Sequence, residues 1–327
     1  MNSPSVIRRS KRELPCVIAF GALLLVLALR SPDFFAVQNL RDLTVNTAPT
    51  LIVVLGMTIV ILTGEIDISV GSQFAVCSVA IGWVAKSGVP IWVLPVAALA
   101  LGALLGACNG GLVARLGMPS IIVTLASYIA WRDGLLWITQ GAWVQNLPSG
   151  FQWFGFSQSG GEALIVLSGA ILLILFAVAL RHLRGGRAVY AVGSDREASR
   201  LAGIEPRNVV FGAFVLAGAL TGLAALLNAT RFSAIPSNLG TGLELNAISA
   251  VVVGGAAITG GRGSVIGSLF GTALLGSIGT ALVFGAINPF WEKAIQGAII
   301  LTAVFADAAV SRLTKHVHFD FSRSGSA

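Results

Sequence analysis

The chain has 327 residues, of which 55% are hydrophobic and 11% are charged, and its formal net charge is +7. Ordinary soluble domains carry about 25% charged residues, so this composition excludes a soluble fold, a disordered chain and a secreted disulfide scaffold. Lys and Arg collect in the cytoplasmic loops of such apolar chains, so we expect no nucleic-acid partner. The sequence predicts an all-α, polytopic integral membrane protein in contact with lipid.

Apolar runs of about 17–25 residues, long enough to cross a bilayer, recur along the chain. We place ten of them, at 14–29, 47–63, 66–84, 91–114, 119–139, 163–180, 209–230, 245–260, 264–287 and 290–310. The first, second, third and eighth are short or interrupted by glycine, so eight or nine spans are the alternative. They define an N-terminal tail at 1–13, a transmembrane domain at 14–310 and a C-terminal tail at 311–327. With both termini in the cytoplasm, most Lys and Arg residues outside the spans fall on the cytoplasmic side, as the positive-inside rule requires.

The sequence carries no recognisable catalytic motif. It lacks a Walker A pattern, H-E-x-x-H and G-x-S-x-G, and its cysteines lie in apolar stretches without zinc-ligand spacing. The glycine-rich run at 260–264 lacks the Walker lysine and predicts a tight turn between two spans. We therefore expect no catalytic residue, no metal site and no cofactor, and we expect any ATP hydrolysis to come from a partner.

Glycine recurs at every fourth position in two places. The two ladders are Gly102, Gly106 and Gly110, and Gly263, Gly267 and Gly271. Such ladders let helix backbones approach closely in lipid. They predict tight helix packing, either within one subunit or between subunits.

Two polar segments interrupt the apolar runs. Glu65, Asp67 and Ser69 separate the second and third spans, and Glu244 and Asn246 open the eighth. Acidic residues inside membrane segments are costly and are candidates for function. The two segments have opposite orientations, a pattern typical of a pseudo-symmetric transporter core, so all five residues are pathway candidates. The alternative is that Asp67 and Asn246 cap helices while both glutamates lie at an interface.

One further charged pair lies inside the fifth span. Arg132 and Asp133 fall about two helical turns from its predicted outer end. We expect the long Arg132 side chain to reach the lipid headgroups and Asp133 to face the bundle.

The cytoplasmic connection at 181–208 contains a short predicted helix. Ser194 and Glu197 fit a capping box, Asp195 adds a second acidic residue to the first turn, and Gly203 would end the helix. Its small apolar face would consist of Ala198, Leu201 and Ala202. A helix this short has little stability of its own, so we expect it to dock on a partner.

The same helix carries a resemblance to a known family. Glu197-Ala198-Ser199 followed by Gly203 resembles the cytoplasmic EAA signature of ABC importer permeases. The segments 62–72, 118–125, 186–193 and 250–264 resemble permeases of the ribose/arabinose/xylose type, so the similarity covers about residues 45–310. The first 40 residues match poorly. Glu65 stands where many relatives carry glycine, which bears on the choice of sugar.

This resemblance implies the membrane subunit of a bacterial ABC sugar importer in the inner membrane. Its partners would be an ABC ATPase, a periplasmic sugar-binding protein and a second permease subunit, identical or different. ATPase coupling would fall to Ser194, Asp195, Glu197, Ala198, Ser199, Leu201 and Gly203. The segments 143–148 and 151–154 resemble permeases for deoxyhexoses such as rhamnose, with ribose, xylose and autoinducer-2 as alternatives.

A self-sufficient ion- or proton-coupled secondary transporter is the competing hypothesis. Glu65, Asp67 and Glu244 would then be the coupling carboxylates. The capped loop helix favours the importer, because a secondary transporter has no need of a docking element for an ATPase.

Overall fold

The computed structural model describes residues 4–288, 290–299, 301, 302 and 305, with side chains from residue 13 onward. This part of the chain is helical, and its only strand-like pairing is an isolated bridge between Val144 and Ile235. The helices are α1 (Pro4–Arg30), α2 (Val37–Leu62), α3 (Val70–Lys86), α4 (Leu94–Gly110), α5 (Ser120–Thr139), α6 (Gln158–His182), α7 (Arg184–Ser194), α8 (Arg196–Leu201), α9 (Pro206–Ala229), α10 (Leu243–Val253) and α11 (Val265–Phe284). A further helical stretch occupies 291–299.

Seven of the described helical segments are long and apolar enough to cross a membrane: α1, α2, α4 with its flanking turns (Ile91–Arg115), α5, α6, α9 and α11. Two shorter apolar helices, α3 and α10, have 17 and 11 residues. These nine helices overlap the first nine predicted spans, although α2 begins at Val37 instead of 47 and α10 ends at Val253 instead of 260. The tenth, at 290–310, extends beyond the described residues, and the predicted tail at 311–327 lies outside them. Helix α1 already begins at Pro4, within the predicted tail at 1–13.

Helix α2 lies at the centre of the bundle. Every residue from Leu51 to Leu62 is buried, on all sides of the helix. By contrast, α1, α5 and α6 expose many large apolar side chains, for example Leu25, Ile129 and Leu175. An exposed apolar surface of this extent belongs in lipid or against another protein. The bundle therefore has a protein-enclosed core helix and an apolar periphery, as a polytopic membrane protein requires.

The two glycine ladders pack helices together within the chain. A Cβ added at Gly102 of α4 would lie less than 3.0 Å from the carbonyl oxygen of Gly218 in α9, closer than real Cβ atoms come. In the second ladder, a Cβ at Gly271 of α11 would meet the Ala250 carbonyl oxygen of α10 in the same way. The choice that the sequence left open is therefore settled for both ladders in favour of packing within one subunit.

The loops gather at two ends of the bundle. At the loop-helix end, α8 lies beside the end of α2, and the Gly261 N–H donates to the Leu62 carbonyl at 2.9 Å. The run at 260–264 forms the predicted tight turn there, closed by a bond from the Ala257 N–H to the Arg262 carbonyl at 2.8 Å. The opposite end, the bridge end, contains the paired segments around Val144 and Ile235.

Candidate functional site

Helix α8 begins at an aspartate cap. The Ala198 N–H donates to Asp195 Oδ1 at 2.9 Å, and the helix Arg196–Leu201 follows. The prediction that Ser194 caps this helix is wrong, because Ser194 is the last residue of α7 and its backbone is still helical. Glu197 lies in the first turn, where the helix dipole stabilises a carboxylate.

Gly203 follows the end of α8 in a left-handed conformation, as predicted. Its φ is +81°, and its N–H donates to the Arg200 carbonyl at 3.0 Å. A Cβ added there would meet nothing within 4 Å. The backbone conformation, and not a lack of space, therefore requires glycine at this position.

The outer surface of α8 has no cover from the part of the chain that the structure describes. Leu201 is 82% exposed, and Ala198, Ala202 and Glu197 are exposed beside it. Ser199 is buried on the opposite side and donates to the Asp195 carbonyl at 2.7 Å. The helix thus presents the predicted small apolar face outward, with charged residues around it.

An ion pair joins α8 to the irregular segment at 63–69 between α2 and α3, the broken segment. The Glu65 carboxylate pairs with the guanidinium of Arg196, the first residue of α8. The Glu65 side chain is only 11% exposed, whereas that of Arg196 is 54% exposed. A cleft of about 390 Å³ surrounds this pair and is lined by further charged residues: Glu197, Arg200, Glu205 and Arg207. The structure therefore places Glu65 with the loop helix, apart from the other pathway candidates.

Asp67 and Ser69 belong to a buried hydrogen-bond network. The Asp67 carboxylate accepts from the Ser69 N–H at 2.8 Å and from Gln73 Nε2 at 3.1 Å. The Ser69 hydroxyl oxygen accepts from Gln73 Nε2 and from Asn109 Nδ2, each at 2.7 Å. The Ser127 hydroxyl donates to Asn109 Oδ1 at 2.6 Å. The network thereby links the broken segment to α3, α4 and α5.

The backbone of the broken segment is bonded to side chains of α5. The Ile66 N–H donates to the Ser120 hydroxyl at 3.3 Å, and the Ile68 N–H donates to the Thr124 hydroxyl at 3.1 Å. Irregular backbone at membrane depth is tolerated only where protein or a water-filled cavity surrounds it. The polar face of α5 supplies those partners here.

The capping alternative is wrong for Asn246 but not for Asp67. Asn246 lies inside α10, where its N–H donates to the Gly242 carbonyl at 3.1 Å, and the residue that precedes α10 is Gly242. Ser69 directly precedes α3, but its backbone is already helical, and its N–H donates to the Asp67 carboxylate at 2.8 Å as in an N-cap. Asp67 therefore holds the turn that leads into α3.

Helices α3 and α10 begin close together. A Cβ added at Gly71 would clash with Glu244 Oε2 and with the Gly240 carbonyl oxygen. Farther along α3, a Cβ at Gly82 would lie 2.8 Å from Ile235 and 3.2 Å from Val144, at the bridge end. The 11 residues of α10 rise about 16 Å and the 17 residues of α3 about 25 Å, so neither helix alone crosses a hydrocarbon core of about 30 Å. The two short helices start side by side and run toward opposite ends, an arrangement typical of transporter binding sites.

The structure reverses the predicted orientations of Arg132 and Asp133. Arg132 is 8% exposed, and its Nη1 donates to the Leu239 carbonyl at 2.8 Å. Its guanidinium carbon lies 5.7 Å from the centre of the Tyr128 ring. Asp133 is exposed on the other side of α5. The expectation failed because Arg132 lies beside the Leu239 carbonyl, in the segment that precedes α10, and the local sequence does not reveal this contact.

A second polar cluster lies near the bridge end. Arg41 pairs with the buried Glu162, and a cavity of about 230 Å³ beside them is lined by Asp42, Trp153 and Arg231, among others. The charges of these two arginines and two acidic residues cancel. The cluster joins the start of α2, the start of α6 and the end of α9.

Sequence reasoning missed several residues of these networks. Gln73 and Asn109 are polar residues inside apolar spans, and the cost of such residues in a membrane could have identified them. Arg196 gave no local signal as the partner of Glu65, because the two residues are 131 positions apart.

Comparison with known proteins identifies the family. A family model described as "Branched-chain amino acid transport system / permease component" matches residues 39–304. The Autoinducer 2 import system permease protein LsrC of Enterobacter sp. (strain 638) is 33% identical over 306 residues, which are 93% of this chain and 89% of the relative. The chain belongs to this permease family. No solved structure matches it.

The relatives of this permease also agree with the resemblance seen in the sequence motifs. The Ribose import permease protein RbsC of Escherichia coli (strain K12) is 33% identical over 300 residues, which are 90% of this chain and 93% of the relative. The chain is therefore a multi-pass membrane permease of the sugar ABC importer family. This membership favours the importer over the self-sufficient secondary transporter.

Proposed function

We propose that this chain is the membrane subunit of an ATP-driven importer that moves a monosaccharide across the bacterial inner membrane. An ABC ATPase acts on α8, a periplasmic binding protein delivers the sugar to the bridge end, and a second permease subunit completes the pathway. The permease supplies the route and the coupling element, and its partner hydrolyses the ATP.

The observation that carries this proposal is the attachment of α8. The helix is capped by Asp195, ended by Gly203, exposed on its apolar face and joined to the core through Glu65 and Arg196. A short helix that exposes Leu201 and has little stability of its own gains most from a docked partner. Force applied to its surface reaches the broken segment through the ion pair.

The proposed topology has ten spans, with both termini and the loop-helix end in the cytoplasm. Arg196, Arg200 and Arg207 cluster at that end, and the positive-inside rule assigns such clusters to the cytoplasmic side. The bridge end, with the cavity beside Arg41 and Glu162, then faces the binding protein. Helices α3 and α10 count as spans together with the irregular segments that precede them.

The exposed side of α5 supports a second permease subunit. Ile122, Ile129, Asp133 and Trp137 form an exposed stripe along this helix. A carboxylate that faced hydrocarbon here would cost several kcal/mol, so we infer that protein or water covers Asp133. A second copy of the permease, or a related subunit, provides both at a shared pathway.

For the substrate we propose a monosaccharide, with rhamnose tested first because of the segments 143–148 and 151–154. Ribose, xylose and autoinducer-2 complete the panel, since the similar proteins are named for ribose and autoinducer-2 import.

A labelled-sugar panel tests this function in a strain that lacks its own uptake system and expresses the chain with its ATPase and binding protein. We expect saturable uptake of one panel sugar, and we expect the solubilised permease to co-purify with the ATPase. Uptake that persists without the ATPase and collapses with the ion gradient would instead establish the secondary transporter. Absence of uptake for every sugar would contradict the proposal.

A further inference from the structure

Two buried ionisable side chains have polar atoms without partners. Arg132 and Glu244 are 8% and 7% exposed. Nε and Nη2 of Arg132, and Oε2 of Glu244, are buried and have no hydrogen-bond partner in the part of the chain that the structure describes. Buried charged groups are normally paired or hydrogen-bonded, because an unpaired charge is costly to desolvate.

The two side chains approach the same turn from different helices. Arg132 of α5 donates through Nη1 to the Leu239 carbonyl at 2.8 Å, and Glu244 Oε1 accepts from the Gly242 N–H at 3.2 Å. Gly240 lies between these contacts, and Glu244 Oε2 lies against Gly71, which has no side chain to block it. Among the described residues, Arg132 and Glu244 form no ion pair with each other or with another side chain.

The unpartnered atoms suit a neutral polyhydroxy ligand. Arg132 has two buried donor groups, and Glu244 one buried acceptor, without a partner among the described residues. A sugar hydroxyl can accept from a guanidinium and donate to a carboxylate at the same time. The opposite charges of the two residues cancel, so an anionic ligand gains no net attraction. The Tyr128 ring beside Arg132 adds a flat apolar surface.

We propose that Arg132 and Glu244 bind hydroxyl groups of the transported sugar, at a site between α5 and the start of α10. This inference rests on the proposed function and extends it to a substrate-contacting pair. Glu244 lies in the first turn of α10, at the end of the helix where the dipole favours negative charge. Gly71 of α3 and Gly240 of the turn pack directly against each other, because a Cβ added at either glycine would lie 2.6 Å from the carbonyl oxygen of the other.

The test asks whether removal of one side-chain charge changes the effect of removing one sugar hydroxyl. The wild type, Arg132→Gln and Glu244→Gln are reconstituted in proteoliposomes with the ATPase and the binding protein. Uptake is measured for rhamnose, ribose and xylose, and for singly deoxygenated analogues of the sugar that the wild type transports. The ratio of parent to analogue uptake is then compared between each variant and the wild type. Because the binding protein is the same in every sample, its own selectivity drops out of this comparison.

For at least one analogue, we expect the ratio of parent to analogue uptake to be about fivefold lower in one variant than in the wild type. A change of this size lies within the coupling range of contacting groups. The matched control is Ser78→Ala on α3. This change removes a buried hydroxyl that also has no described partner, and it should leave every uptake ratio unchanged. If a glutamine variant fails to fold, Arg132→Lys and Glu244→Asp take its place in the same measurement.

Two results would overturn the inference while leaving the proposed function intact. One is an equal loss of uptake for the parent and all analogues, which indicates a structural role. The other is an exchanged double variant, Arg132→Glu with Glu244→Arg, that recovers full uptake and the wild-type ratios of parent to analogue uptake. This result would indicate that the two residues form an ion pair with each other. A wild type that transports none of the sugars contradicts the proposed function itself.

Discussion

Single glycines set the distance between helices in this bundle. Gly102→Ala should destabilise the protein, because the added Cβ would fall within 3.0 Å of the Gly218 carbonyl oxygen and force α4 and α9 apart. Overpacking of this kind costs about 1–3 kcal/mol. The expected result is a lower midpoint of thermal unfolding in detergent.

Gly134→Ala on α5 is the matched control for this change, since nothing lies within 4 Å of its added Cβ. Alanine favours a helix over glycine by about 0.5–1 kcal/mol, so this variant should be unchanged or more stable. Equal losses of stability in both variants would contradict the close approach of α4 and α9.

The residue scale also shows where sequence reasoning ends. The sequence identified Glu65, Asp67 and Glu244 as costly residues in apolar surroundings, and the structure buries all three. It could not predict that Arg132 points into the bundle, because the orientation of one charge on an apolar helix depends on which neighbour that face meets. The side chain bonds to Leu239, 107 positions away.

At the scale of elements, the end of α8 depends on the left-handed backbone of Gly203. Gly203→Val should weaken ATPase association and abolish uptake with normal membrane abundance, because a β-branched residue is poorly tolerated at a φ of +81°. Co-purification of the ATPase and sugar uptake measure the effect.

Gly203→Asn provides the control, because asparagine adopts the left-handed conformation more readily and the site has room for its side chain. It should retain most activity. Wild-type uptake by Gly203→Val would show that the conformation at the end of α8 does not matter for coupling.

The ion pair between α8 and the broken segment should act as a coupled unit. Glu65→Gln and Arg196→Gln should each lower the ATPase rate stimulated by sugar-loaded binding protein, because either change frees α8 from the core. The double variant should be about as active as the weaker single variant, since both changes remove the same contact. Independent, multiplying losses would show that the two residues act separately.

The elements themselves were largely predictable from the sequence. Spans near α1, α2, α4, α5, α6, α9 and α11 follow from apolar length alone, and the broken segments correctly marked the short helices α3 and α10. The capping box failed because the pattern from Ser194 to Glu197 does not reveal that α7 continues through Ser194. A capping motif locates the start of a helix only when its first residue does not already belong to the helix before it.

At the scale of the whole molecule, the two ends of the bundle should be accessible from opposite sides of the membrane. Ala198 and Trp143 are both exposed, and a cysteine is introduced at each. An impermeant thiol reagent should label the cysteine at 198 only from the cytoplasm and the cysteine at 143 only from outside. The native Cys16, Cys77 and Cys108 are replaced first. Labelling of both positions from the same side would contradict the ten-span topology.

The junction of α2, α7 and the turn at 254–264 has a mechanical consequence. A Cβ added at Gly193 would clash with the Leu62 carbonyl oxygen and the Gly261 N–H, so three backbones touch with no side chain between them. Side chains can absorb a displacement by changing rotamer, whereas bare backbone has no such slack. We therefore expect a push on α7 and α8 to reach the end of the central helix α2 with little loss of displacement.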